Sequence, residues 1–142
     1  MTTTSLSALV ADPLPFAKLL GLELVTVTPD RVEAVLPVRE ALCTRPAVLH
    51  GGALMAFADT LGAIATVANV AEGVMTTTIE SKTNFFAAIP VGDTARAECT
   101  PLHRGRTTMV WQTKVTRSDG RVAALVIQTQ LIIPATQKPK PA

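Results

Sequence analysis

The chain has 142 residues, 48% of them hydrophobic, with 13 Lys/Arg against 11 Asp/Glu for a formal charge of +2. That is enough for one domain with its own core, and residues 1–136 are read as that domain. The basic residues are scattered and only 4% of residues are aromatic, so neither nucleic acid nor a cofactor is an expected partner. Cys43, Cys99 and two separated histidines supply neither a disulfide framework nor the spacing of a metal site.

Residues 1–10 lack the basic start and long apolar run of a secretory signal. Residues 13–20 predict a short helix with Phe16, Leu19 and Leu20 on one face, ended by Gly21. Residues 22–28 read as a strand, Pro29-Asp30 as a turn, and 31–38 as a strand alternating Val32, Ala34, Leu36 and Val38. Pro37 marks an edge or a strand end. Residues 39–49 read as a loop, and 50–69 as a long helix. Four strands follow, at 74–86, 94–100, 107–117 and 122–133. The breaks are Gly73, Pro90-Val91-Gly92-Asp93, His103-Arg104-Gly105-Arg106 and the hairpin signal Ser118-Asp119-Gly120. Trp111 falls among the core positions of its strand. Residues 137–142, with two prolines and nothing to bury, read as a disordered tail. The order predicts an α+β fold, an antiparallel sheet with one long helix packed on it.

That helix carries the most informative feature. Between Pro46 and Ala71 the only formal charge is Asp59, nine residues after His50. An acid rarely sits in such apolar surroundings without a partner or a task. It would also oppose membrane insertion, by about 2.5–3.5 kcal/mol at a span's centre; a soluble, cytoplasmic protein is expected. Leu54, Phe57, Leu61, Ile64 and Ala68 form a bulky stripe for the sheet. Asp59 lies about 160° from Phe57 around the axis, sharing a face with Gly52, Met55, Ala56, Gly62, Ala63 and Thr66. That face is small and uncharged, so a second subunit or a ligand is expected against it. Gly51 and Gly52 leave the backbone N–H donors of the helix start open to approach, an arrangement suited to a developing oxyanion. Asp59 is about 12 Å along the axis from Gly51. The two meet at one carbonyl only if they come from different subunits.

The stretch His50-Gly51-Gly52-Ala53-Leu54-Met55-Ala56-Phe57-Ala58-Asp59 resembles the motif of hot-dog-fold acyl-CoA thioesterases of the phenylacetate-degradation (PaaI) type. The similarity continues through Thr78-Ile79-Glu80-Ser81-Lys82-Thr83-Asn84-Phe85, the Pro90 turn and Gly105-Arg106. It implies a curved antiparallel sheet wrapped around the long helix. It also implies a homodimer with one continuous sheet and active sites between subunits, assembled further into a homotetramer. By the same resemblance Asp59 attacks an acyl-CoA thioester or activates water to do so, Gly51 polarises the carbonyl, and His50 shapes the helix start. Thr78, or Thr77, positions the acid or water. The family's Asn six residues before the histidine is replaced by Thr44. Gly52 and Met55 are expected to line the substrate site, with Arg104 and Arg106 as candidates for the coenzyme A phosphates.

Two other readings stand beside thioester hydrolysis: an enoyl-thioester hydratase pairing His50 with Asp59, and a non-catalytic acyl-CoA-binding protein. A helix-start histidine also has a plain structural use, hydrogen bonding to backbone. Cys43 lacks the partners of a catalytic thiol.

Overall fold

The computed structural model describes residues 6–135; the tail expected at 137–142 lies outside them. Two short helices, α1 (Leu6–Ala11) and α2 (Pro15–Leu20), lead into strands β1 (Glu23–Val27) and β2 (Val32–Pro37). A 3-10 turn (Glu40–Leu42) and a small ladder of β3 (Cys43–Thr44) with β4 (Val48–Leu49) precede the long helix α3 (Gly51–Val67). Strands β5 (Met75–Phe85), β6 (Thr94–Arg104), β7 (Thr108–Thr116) and β8 (Val122–Ile133) complete the chain. Six strands form one antiparallel sheet in the order β1-β2-β6-β7-β8-β5. Helix α3 packs across it, touching β2, β5, β6, β7 and β8, as the resemblance implies.

The predicted stripe is the core. Leu54, Phe57, Leu61, Ile64 and Ala68 are all buried, against Val32, Leu36, Trp111, Val115 and Val126 from the sheet. The alternation read in β2 also holds, with Val32, Ala34, Leu36 and Val38 inward and Pro37 ending the strand. Gly21 closes α2 at φ 78, a left-handed conformation that glycine adopts without a Cβ penalty, while its N–H caps Ala17 and Lys18.

Four expectations need correction. Helix α2 buries Ala17 and Leu20, leaving Phe16 and Leu19 exposed, so of the predicted apolar face only Leu20 packs. The loop at 39–49 contains a turn and the β3–β4 ladder. Strand β6 does not break at His103 but runs to Arg104, because a bulge between Pro101 and His103 absorbs the irregularity. Finally, the small-residue face of α3 is covered in part by this chain's own sheet. Gly62 packs against Gln128, and Thr66 accepts a 2.8 Å hydrogen bond from the Trp111 indole N–H. The sheet curls far enough round the helix to claim a second face.

Candidate active site

Helix α3 begins at a histidine cap. The His50 backbone is extended (φ −63, ψ 135), and its Nδ1 accepts a 2.9 Å hydrogen bond from the Gly52 N–H. Nδ1 is therefore unprotonated. Ala53 and Leu54 donate to the His50 carbonyl, while the Gly51 N–H has no acceptor among the described residues. It is the open donor at the positive end of the helix. Phe85 stands on the Cβ side of this glycine, so closely that a Cβ on Gly51 would sit 3.2 Å from the ring. Leu49, Gly51, Leu54, Phe85, Phe86 and Ile89 line a cleft of about 280 Å³ there, to which side chains give an apolar part and backbone a polar one. A larger cavity, about 360 Å³, lies between the N-terminal helices and β1, away from both Gly51 and Asp59.

Asp59 is half-buried on the second turn beyond this end. Its Oδ1 accepts a 2.6 Å hydrogen bond from the Thr78 hydroxyl and a longer one, 3.3 Å, from Gln128 Nε2. Gln128 Nε2 also reaches the Asp59 backbone carbonyl at 3.3 Å. Both side-chain donors fall on one oxygen. Oδ2 has no partner among the described residues. Thr78 is aimed by the sheet: it pairs with Gln130 across the β5–β8 ladder, and a bulge follows it before Glu80.

Of the two threonines considered, Thr78 meets Asp59, whereas Thr77 is exposed. His50 and Gly51 share the helix start, Gly52 and Met55 are exposed near it, and Thr44 is exposed on β3. Within one chain Asp59 and Gly51 remain on α3, about 12 Å apart along the axis. Arg104 is already engaged. It pairs with Asp30 at 2.7 Å and donates to Asn69 Oδ1 at 3.3 Å, beyond the C-terminal end of α3. Arg106 is exposed and without an ion pair among the described residues. No cluster of three His, Cys, Asp or Glu side chains able to hold a metal occurs among the described residues. Nor is any described helix long and apolar enough to cross a membrane.

Sequence reasoning missed Gln128, Gln130 and Thr76. The signal was available: on β8 the inward positions run Ala124, Val126, Gln128, Gln130. Two amides occupy the apolar parity of a core strand, where a buried amide needs partners; Gln130 is bonded at both ends, whereas Gln128 is bonded through Nε2 and its Oε1 has no partner among the described residues.

Comparison with known proteins bears on this geometry. Residues 47–124, which include His50, Asp59 and Thr78, match the model of the thioesterase superfamily. The proofreading thioesterase EntH of Cronobacter turicensis is 32% identical over 102 residues, 72% of this chain and 74% of that protein. A thioesterase from Haemophilus influenzae superposes with a TM-score of 0.88 at 25% identity, covering 97% of this chain and 96% of that one. The PaaI protein of the Escherichia coli phenylacetic acid degradation operon shares the fold, with a TM-score of 0.81 at 21% identity and 92% coverage of both chains. Motif, sheet order and relatives converge, and the chain belongs to the thioesterase superfamily, with the hot-dog fold.

Proposed function

We propose that the protein hydrolyses an acyl-CoA thioester to a free carboxylic acid and coenzyme A, with Asp59 as nucleophile or general base. The reaction class that goes with the family is thioester hydrolysis. The observation carrying the assignment to Asp59 is its asymmetric anchoring. Two donors hold Oδ1 while Oδ2 is left open, in surroundings without another charge on the helix. A carboxylate held that way is oriented before substrate arrives, which is what a general base or nucleophile needs.

The open Gly51 N–H supplies the complementary group, polarising the thioester carbonyl and stabilising the oxyanion formed on attack. Because about 12 Å separates it from Asp59 in one chain, the working site pairs Asp59 of one protomer with Gly51 of another, in a homodimer that assembles further into a tetramer. The exposed length of β5 at the sheet edge supports such pairing. His50 contributes by capping: with Nδ1 bound to Gly52, it directs the open donor to Gly51. Gly52 and Met55, exposed at the helix start, and Thr44, exposed on β3, are the substrate contacts this reading assigns, with the cleft beside Phe85 as the acyl site. Arg106 is the freer candidate for the coenzyme A phosphates, since a phosphate at Arg104 would compete with Asp30.

Asp59→Asn preserves shape and removes the basic oxygen. We expect normal assembly and melting, with thiol release falling at least ~10²-fold in kcat. Unchanged turnover would reject the role.

A further inference from the structure

Gln130 lies on the inner face of β8, three residues from its C-terminal end, and is fully buried. A buried amide there costs desolvation unless both its ends are bonded, and a branched aliphatic residue would pack the position without that cost. Both ends are bonded, and the bonds form a directed chain that ends on Asp59. Thr76 Oγ1 donates to Gln130 Oε1 at 2.8 Å. Gln130 Nε2 donates to Thr78 Oγ1 at 2.6 Å, and Thr78 Oγ1 donates to Asp59 Oδ1 at 2.6 Å.

The direction follows from the last link. A carboxylate only accepts, so the single Thr78 proton goes to Asp59. Thr78 Oγ1 then has only lone pairs to offer, so Gln130 must face it with Nε2. That turns Oε1 toward Thr76, whose single hydroxyl proton has two acceptors in reach, Gln130 Oε1 at 2.8 Å and the Leu131 carbonyl at 3.1 Å, the shorter contact being to Gln130. Without Gln130, Thr78 could rotate and give its proton to another acceptor. With it, the rotor has one satisfactory orientation.

We infer that Gln130 is a positioning residue for the reaction: locked by Thr76, its amide fixes the Thr78 hydroxyl so that Asp59 Oδ1 is always the anchored oxygen and Oδ2 the reacting one. This rests on Asp59 being the working carboxylate. It goes beyond that reading by tying catalysis to a side chain that touches neither substrate nor the reacting oxygen. Gln128 supplies a weaker, independent anchor and does not belong to the chain.

The test uses the full chain and measures thiol release from hexanoyl-CoA and benzoyl-CoA, with thermal melting as the control for folding. Gln130→Met keeps volume and removes the amide. The expected result is a fall of about ten-fold in kcat with KM within about two-fold, because the loss is of transition-state alignment and not of substrate contact. Thr78→Ser, which keeps the hydroxyl, stays within about three-fold of the wild type. In a Thr78→Val background Gln130→Met then changes kcat by less than about two-fold, since the amide acts only through the hydroxyl. A residue that merely supports the core would lower kcat by the same factor in both backgrounds, and that result overturns the inference, as does an unchanged kcat in the single variant. Should Gln130→Met fail to fold, Thr76→Val replaces it in both backgrounds with the same criteria. An inactive wild-type protein would overturn the thioesterase reading, and this inference with it. An active wild type with an indifferent Gln130→Met overturns the inference alone.

Discussion

Gly62 is placed where the Asp59 site meets the core, and replacing it with alanine should reverse the usual sign of a glycine-to-alanine change in a helix. In a helix interior such a substitution ordinarily stabilises by about 0.8–1.0 kcal/mol. Here a Cβ would lie 2.3 Å from Gln128 Cδ and Nε2 and 2.7 Å from Oε1. The Gln128 side chain, 1% exposed, cannot swing into solvent. Overpacking of this kind costs about 1–3 kcal/mol. Pulling the amide from Asp59 leaves a buried polar group unsatisfied, for about 1–3 kcal/mol more. Set against the helix propensity, the net loss is about 1–5 kcal/mol. At about 4 °C per kcal/mol for a chain of this size, that is a fall in Tm on the order of 10 °C. The assay is thermal unfolding followed by circular dichroism at one fixed protein concentration, since assembly shifts apparent stability. In a Gln128→Ala background the obstruction is gone, and Gly62→Ala should raise Tm by a few degrees. A rise in the wild-type background as well would refute the claimed packing of Gln128 against the helix.

Other outcomes follow from groups away from the site. Hydrogen bonds from Ser118 and the Thr94 backbone N–H, with Arg117 nearby, hold the Asp93 carboxyl below its ordinary value of 3.8. A depressed folded-state value gives stability that is present above the ordinary value and lost as pH falls through the depressed one. Asp93→Asn should therefore lower Tm at neutral pH, and the gap from the wild type should close in acid; a gap independent of pH would contradict this. Burial pushes the Cys99 thiol up to about 11, whereas Cys43 is only half-buried. Alkylation at pH 8 followed by mass spectrometry should label Cys43 first, and Cys99 only after unfolding. Equal labelling of both in the folded protein would contradict the packing.

The helix, its buried stripe and the succession of strands along the chain were legible because each rests on local periodicity. Phe57 and Leu61 recur at helical spacing, and Val32, Ala34 and Leu36 alternate. The lone charge at Asp59 and the glycines at the helix start were legible for the same reason, being exceptions to a strong pattern. What surrounds Asp59 was legible only in part. Thr78 came from the resemblance, but Gln128, which reaches Asp59, and Gln130, which reaches Thr78, lie on a strand distant in sequence, and only the ladder register and the bulge after Thr78 bring them to one face. Arg104 illustrates the opposite failure. In sequence it is a free cation in a turn; in the fold the bulged end of β6 carries it to Asp30 and Asn69.

Whether catalysis joins two chains is tested most directly by mixing two inactive variants. Gly51→Pro deletes the open N–H with little penalty to the helix, since proline suits the first helical position and His50 is already extended as a pre-proline residue must be. The added Cβ presses on the exposed Phe85 ring, which must give way slightly. Asp59→Asn removes the carboxylate. When the two are co-expressed, a mixed dimer has one site with both defects and one with neither, so about a quarter of wild-type turnover should return under random pairing. Co-expressed chains no more active than either variant alone would show that no site draws Asp59 from one subunit and Gly51 from the next.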